Sequence, residues 1–218
     1  MHQVVSFKRC SLAVALAIAV LLSPTIGFAQ LGTGLPIPTP IPTPTPTATS
    51  SVMGEASAVS STVLGFTTVL GSTGTLSGVN DARDASMTVG TLPSILTGET
   101  LSAATISWAN QVYSTASLTN LNMTVAGVGI TADSVMAQAS QIAGSAGTGS
   151  SSFSNLSVAG VPINVTGAPN QVVAIPGGVV TINEQTISPT GAAVVNALHV
   201  TVTGVANLVV ASATAGIS

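Results

Sequence analysis

The stretch Leu198-His199-Val200-Thr201-Val202-Thr203, residues 198–203, alternates between apolar and polar side chains without a break. Successive side chains of a β-strand point to opposite sides of its sheet, so this period of two predicts a strand with one face in a core and the other in solvent. Similar alternation runs through Ala85–Val89, and glycine-rich segments such as Gly144–Gly149 separate the alternating runs. The pattern therefore predicts a series of strands joined by turns.

Two further runs predict which side chains share a face. The central run is expected to place Ala104, Ile106, Trp108 and Val112 on one face, opposite Thr105, Ser107 and Ala109. The C-terminal run is expected to place Val209, Ala211, Ala213, Ala215 and Ile217 on one face, opposite Val210, Ser212 and Thr214.

A helix is not indicated anywhere after residue 50, because no segment shows a sustained apolar stripe of helical period. The best helical candidate is Ala132–Ala143, but its position among predicted strands favours β-structure. The predicted class is all-β, with an antiparallel, sandwich-like domain. A β-solenoid is the alternative, since periodicity alone does not choose between the two.

One internal repeat is visible. Leu118–Leu121 recurs as Phe153–Leu156, and each copy is followed by the pattern Val-Ala-Gly-Val-x-Ile. In both copies the apolar positions around the asparagine are three residues apart, which breaks the alternation. This spacing predicts a β-bulge at Asn120 and at Asn155.

The first fifty residues read as export and spacer segments. Residues 1–29 have the parts of a signal peptide: Lys8 and Arg9, the apolar run Leu12–Leu22, and small residues before a predicted cut after Ala29. Residues 30–50 form a proline- and threonine-rich linker, expected to be extended, and residues 51–218 form the β-domain. The protein is therefore expected outside the cell or at its surface, with no retained transmembrane helix.

The low charge of the chain argues against nucleic-acid binding. Only 4% of residues are charged, against about 25% in ordinary soluble proteins. Removal of the signal peptide leaves one basic residue, Arg83, against six acidic residues, a formal charge of −5. Nucleic-acid binding is not expected, because it depends on lysine and arginine at the phosphates. The predicted mature chain also lacks cysteine, so disulfides are not expected to hold the fold.

Glu184 and His199 are the first pair of candidate site residues. His199 is the only histidine of the mature chain, so a Ser-His-Asp triad would need it, and no G-x-S-x-G motif is present. If strands on either side of Pro189–Gly191 form a hairpin, Glu184 is expected beside Val195 or Asn196 and not near His199. A structural role for both side chains is the favoured interpretation.

Asp81 and Asp84 are the second candidates, within the segment Asn80–Asp84. Two carboxylates and an amide offer oxygen ligands for Ca²⁺, but the spacing matches no complete calcium loop. A polar loop with a contact between Arg83 and a carboxylate is the favoured interpretation. No catalytic, metal or cofactor-binding residue is assigned, and no cofactor is expected.

The chain contains, in this order, the segments Ile130–Val135, Ala168–Asn170, Ile175–Gly177, Asn183–Gln185, Val195–Val200 and Val209–Ala213. Together they resemble the bacterial choice-of-anchor P family over about residues 55–218. The resemblance implies a secreted, surface-associated bacterial protein, and it carries no activity over to particular residues. The final residues Ala215–Ser218 show no sorting motif, which favours free secretion or retention by self-association.

These observations predict a secreted or cell-surface structural or interaction protein without catalytic activity. Because the mature chain has no lysine, a common guard of exposed strand edges is missing, and we expect self-association or assembly with other matrix components. The alternative is an extracellular ligand-binding module for a glycan or an ice surface, with Phe66, Trp108, Tyr113 and Phe153 as the available aromatic side chains. A hydrolase that uses His199 and Glu184 is a third hypothesis.

Overall fold

The computed structural model describes residues 51–218, so the expected signal peptide and linker lie outside the described residues. Residues 51–218 form thirteen strands and no helix. The strands are β1 Val52–Val63, β2 Phe66–Ser72, β3 Ala82–Leu92, β4 Leu96–Trp108, β5 Gln111–Val125, β6 Val128–Ile142, β7 Thr148–Ser154, β8 Ser157–Val158, β9 Val161–Pro162, β10 Gln171–Ile175, β11 Gly178–Ile187, β12 Ala193–Val202 and β13 Ala206–Ile217.

The strands form two antiparallel sheets. The first has the order β10-β11-β12-β13-β1-β2, and the second has the order β3-β4-β5-β6-β8-β9, with β7 also paired to β6. β13 packs across β5 and β6, while β1 packs across β4 and β5, so the sheets face each other over one core. The structure confirms the all-β, sandwich-like class over the solenoid. The segment Ala132–Ala143 lies in β6 as predicted, except for Ala143, which follows the last residue of that strand.

The core is built from small aliphatic side chains. Its largest fully buried members are leucine, isoleucine, valine and methionine, each of which contributes roughly 1.5–3 kcal/mol when removed from water. Polar contacts also join the sheets. The Ser114 hydroxyl donates to the Thr214 carbonyl at 2.6 Å, and the buried Gln141 amide accepts from the Ile217 N–H at 2.9 Å.

The predicted faces of β4 need one correction. Thr105 and Ser107 point into the core, whereas Ala104, Ile106 and Trp108 point outward. The buried hydroxyls are satisfied there: Thr105 bonds to Ser114 at 2.7 Å, and Ser107 donates to the Gly78 carbonyl at 2.7 Å. Val112 is buried and does not share the face of Trp108, because the chain reverses between Trp108 and Gln111.

A crease crosses the second sheet at Asn120 of β5 and at Asn155, which follows β7. We use the word for a row of residues at which neighbouring strands switch the side of the sheet to which their side chains point. Leu118 and Leu121 are both buried although they are three residues apart, and Asn120 between them has a φ of 50°. The register of β5 against β6 is unchanged there, but against β4 it shifts beside Glu99. Asn155, with a φ of 53°, interrupts the edge between β7 and β8 without shifting the register on β6.

An irregularity of the kind predicted at Asn120 is therefore confirmed in the pairing of β5 with β4. The β-bulge predicted at Asn155 is wrong, because the chain kinks there while its register on β6 is unchanged. Asparagine adopts the left-handed region more readily than most residues, which explains its place in the crease. The crease also brings amides to carboxylates. Asn120 donates to Glu99 at 2.8 Å, and Asn155 donates to Asp133.

A matching crease crosses the first sheet. Asn183 in β11 and Ala211 in β13 both have a φ of 53°, and they lie opposite Ala197 of the intervening strand β12. The expected faces are confirmed for alternate residues from Ala211 to Ile217. They are wrong for Val209 and Val210, since Val210 is buried beside Ala211.

Candidate functional site

Glu184 and His199 are in direct contact on the outward face of the first sheet. The His199 Nδ1 atom lies 2.9 Å from each carboxylate oxygen of Glu184. The predicted hairpin of β11 and β12 is confirmed, and so is the pairing of Glu184 with Asn196. The expectation that Glu184 lies away from His199 is wrong.

The crease explains this contact. Ala197 and Leu198 are both buried, so the residues on either side of them, Asn196 and His199, both point outward. Asn183 is kinked in the neighbouring strand, which turns the next residue, Glu184, outward as well. Glu184 therefore lies beside two outward side chains of β12 instead of one.

A chain of hydrogen bonds extends from this pair on both sides. Asn196 donates to Glu184 at 2.6 Å, and its own carbonyl oxygen accepts from the Ser212 hydroxyl at 2.7 Å. The His199 Nε2 atom lies 2.9 Å from the Asn207 Oδ1 atom. Both ring nitrogens of His199 thus face oxygen atoms of neighbouring side chains. Asn207 and Ser212 were not predicted from the sequence, whereas Asn196 was one of the two residues expected beside Glu184.

The environment favours the charged form of Glu184. Partial burial raises the pKa of this carboxyl, but hydrogen bonds from Asn196 and His199, with the charge of His199, outweigh burial and lower it. The side chains of Glu184 and His199 remain 29% and 20% exposed, so the pair is partly screened by water.

The pair has part of the geometry of an acyl-transfer triad. A carboxylate contacts one ring nitrogen, and the Thr201 hydroxyl lies 3.3 Å from the other. That distance is longer than the roughly 2.6–3.2 Å expected between base and nucleophile, and Asn207 lies closer to the same nitrogen. The nearest depression, of about 290 Å³, is lined by Thr201, Asn207 and residues of two hairpin tips, and His199 is not among its lining residues.

Asp81 and Asp84 do not form one site. Asp81 accepts from the backbone N–H and the hydroxyl of Ser77, both at 2.8 Å, and from Arg83 at 3.2 Å. The hydrogen bonds from Ser77, with a smaller effect of Arg83, lower the pKa of Asp81 to about 2. The predicted contact of Arg83 with a carboxylate is confirmed, but Arg83 and Asp84 belong to β3 and not to a loop.

Asp84 lies opposite Ala104 in the second sheet. Within residues 51–218, no three histidine or acidic side chains come close enough to hold a metal ion. The same residues include no helix suited to crossing a membrane.

Comparisons with protein-family models, curated proteins and solved structures find no match to this chain.

Proposed function

We propose that the protein is a secreted or cell-surface structural or interaction protein, without catalytic activity, that associates with further copies of itself through the open edges of β2 and β3. The observation that carries this proposal is the chemistry of those edges. We also retain as a proposal the choice-of-anchor P relationship, which implies the same location.

The side of the sandwich formed by β2 and β3 offers two long strands with nothing paired beyond them among the described residues. β2 has seven residues and β3 has eleven, and the two strands contact each other across the sheets. Val69 on β2 is 47% exposed and Val89 on β3 is 58% exposed. β2 contains no charged residue, and β3 has only Arg83 and Asp84 near its start. Such edges pair readily with another strand.

The opposite side of the sandwich is better guarded against pairing. Its edges are the five-residue strand β10 and the interrupted series β7, β8 and β9. β7 has seven residues, as β2 does, but β8 and β9 have only two residues each. Pro162 lies in β9, where it removes a backbone donor, and Asn155 kinks the chain between β7 and β8. Short, kinked and proline-containing edges are the usual means of preventing strand addition. The β2 and β3 side is therefore the side we assign to association.

The Glu184 and His199 network supports a structural role. Each polar atom of the pair has a partner from the sheet itself, and Asn196 links it to Ser212 of β13. A base that is already hydrogen-bonded on both ring nitrogens does not offer a free nitrogen to a substrate. The network instead cross-links β11, β12 and β13 on their solvent face.

Sedimentation velocity over a range of concentrations tests the proposal. We expect the wild-type domain to show concentration-dependent dimers or larger species, and the double variant Val69→Lys/Val89→Lys to remain monomeric, because lysine at an edge opposes strand addition. The matched control is Val172→Lys, at a 60% exposed position on the edge strand β10. A wild-type protein that stays monomeric at high concentration, or equal disruption by Val172→Lys, contradicts the proposal.

A hydrolase is the second candidate, because Glu184, His199 and the Thr201 hydroxyl follow the order of an acyl-transfer triad. Its test is hydrolysis of p-nitrophenyl acetate by the wild type and by Thr201→Val. A rate above background that Thr201→Val abolishes supports the hydrolase and contradicts the non-catalytic proposal.

A further inference from the structure

The single tryptophan and the single tyrosine of the chain lie near each other on the outward face of the second sheet. Trp108 is at the end of β4 and is 43% exposed. Tyr113 is near the start of β5, between the fully buried Val112 and Ser114, so its ring points outward. Trp108 pairs with Gln111 and Ile106 pairs with Tyr113, which makes the two aromatic residues diagonal neighbours across the β4–β5 hairpin. Such neighbours are separated by about 7–8 Å.

An open depression of about 360 Å³ adjoins Tyr113. Its walls carry the side chains of Gln138, Ser140, Thr148 and Ser150, from strands β6 and β7. Ser140 is half-buried and Thr148 is exposed, and their hydroxyls bond to each other at 3.1 Å. The Gln138 amide nitrogen contacts the Met136 sulfur at 3.7 Å, a weak acceptor that leaves the amide open to a better partner.

Charge is missing from this surface. The residues that line the depression include no aspartate, glutamate, lysine, arginine or histidine. The acidic residue in the same row, Asp84, lies three strands from Gln138, about 14 Å away. An anionic or cationic ligand finds no counter-charge here. A neutral ligand with many hydroxyl groups finds hydrogen-bond partners here, and its binding does not bury an unpaired charge.

We propose that this surface binds a neutral polysaccharide. A sugar ring has an apolar C–H face that stacks on an aromatic ring, and hydroxyl groups at its edge that bond to amides and hydroxyls. Tyr113 and Trp108 provide two stacking positions, and the Gln138, Ser140 and Thr148 side chains provide polar partners beside one of them. Two aromatic positions on an open sheet face fit a chain of sugars and not a single enclosed sugar.

The proposal goes beyond self-association and does not depend on it. The aromatic pair lies on a sheet face, whereas association is assigned to the edges of β2 and β3. The monomeric variant Val69→Lys/Val89→Lys is therefore expected to bind polysaccharide as the wild type does. Failure of one proposal leaves the other intact.

Native gel electrophoresis in the presence of soluble polysaccharides provides the test. The probes are hydroxyethylcellulose, dextran and arabinoxylan, with polygalacturonate as the anionic comparison. We expect at least one neutral polymer to retard the wild type, and we expect Trp108→Ala and Tyr113→Ala each to weaken binding by about tenfold or more, as buried aromatic contacts usually do. Tyr113→Phe, which keeps the ring, is expected to bind within about threefold of the wild type.

Phe66→Ala is the matched control, because Phe66 is 81% exposed on the other sheet. It is expected to leave binding unchanged, and thermal melting of each variant checks that the domain is folded. Because Trp108 is the only tryptophan, its emission is also expected to shift to shorter wavelength when the retarding polymer is added. Retardation by polygalacturonate alone, by none of the polymers, or to the same extent in Tyr113→Ala as in the wild type overturns the proposal. A Trp108→Ala variant that sediments differently but is retarded as strongly as the wild type also overturns it, because Trp108 would then act in association and not in polysaccharide binding.

Discussion

The Glu184 carboxylate of β11 lies 2.9 Å from the His199 Nδ1 atom of the neighbouring strand β12, and the same carboxylate accepts a 2.6 Å hydrogen bond from Asn196. This is one of three places where a crease brings an asparagine amide to an acidic side chain, the others being Asn120 with Glu99 and Asn155 with Asp133. Hydrogen bonds from amides satisfy these carboxylates in a chain that has almost no basic residues. Among residues 51–218, only Asp81 pairs with an arginine, Arg83.

The contacts of Glu184 make stability depend on pH. Because folding lowers the pKa of Glu184, its contribution is complete above the ordinary value of 4.5 and is lost as the pH falls towards the lower folded value. We expect Glu184→Gln to lower the free energy of unfolding by about 1 kcal/mol at pH 7, with a smaller decline than the wild type between pH 5 and pH 3. Chemical denaturation at several pH values measures both effects. Parallel curves for the two proteins contradict this account.

Asp81 accounts for a separate dependence at lower pH. Its pKa of about 2 lies below the ordinary value of 3.8, so the contribution of Asp81 disappears as the pH falls through that interval. An NMR titration of the Asp81 carboxyl carbon is expected to give a midpoint near 2 in the wild type. Ser77→Ala removes one of the two hydrogen bonds from that residue and should raise the midpoint, whereas an unchanged midpoint argues against this cause.

Gly149 permits the close approach of β7 to the first sheet. A Cβ atom added there lies 2.0 Å from the Cγ2 atom of the fully buried Val195. We therefore expect Gly149→Ala to destabilise the domain by about 1–3 kcal/mol, as overpacked cores are. Thermal or chemical denaturation measures this change.

Gly129 provides the matched control on β6, since a Cβ atom added there meets nothing within 4 Å. Gly129→Ala is expected to be neutral or to stabilise the domain by up to about 1 kcal/mol. Combining Gly149→Ala with Val195→Ala should cost less than the two single changes together, because the smaller side chain makes room for the added methyl group. Full additivity of the two changes, or equal effects at both glycines, contradicts the packing described here.

Catalysis by the Glu184 and His199 pair is not expected. Purified protein should hydrolyse p-nitrophenyl acetate no faster than His199→Ala, because the ring nitrogens are held by Glu184 and Asn207. A wild-type rate more than about tenfold above that of His199→Ala would instead favour the hydrolase. Denaturation curves of the variant separate loss of chemistry from loss of folding.

Export is open to direct measurement. The Lys8–Arg9 pair, the apolar run and the small residues that end at Ala29 predict a mature chain that begins at Gln30. Mass spectrometry of the protein recovered from the medium or surface of an expressing bacterium is expected to find that N-terminus. Recovery of the intact chain from Met1 inside the cell contradicts the proposed location.

Much of the fold follows from local alternation. Leu198, Val200 and Val202 are buried and His199 and Thr201 point outward, as the period of two predicts. The hairpin that pairs Glu184 with Asn196 also follows from sequence, because Pro189–Gly191 marks its turn. These features depend on residues close together in the chain, where side-chain chemistry and turn preference act directly.

The contact between Glu184 and His199 could not be predicted in the same way. It depends on the left-handed backbone at Asn183 and on the adjacent buried pair Ala197 and Leu198, which shift the alternation by one residue. Asparagine within a strand and two adjacent apolar residues in the facing strand are the only local signals. The nearness of β2 and β3 at one side of the sandwich is a further non-local feature, because strand order depends on pairings between distant parts of the chain.

Hydrogen exchange at β2 is the most direct test of association through an open edge. In an antiparallel pair, alternate residues direct their backbone N–H groups away from the partner, so part of Phe66–Ser72 is unpaired at the edge of the isolated domain. Exchange of the peptide that covers these residues is expected to slow as protein concentration rises, and to stay fast in Val69→Lys/Val89→Lys. The β10 peptide, Gln171–Ile175, should exchange at the same rate throughout. Exchange of the β2 peptide that is independent of concentration in a protein that does associate would contradict the central claim.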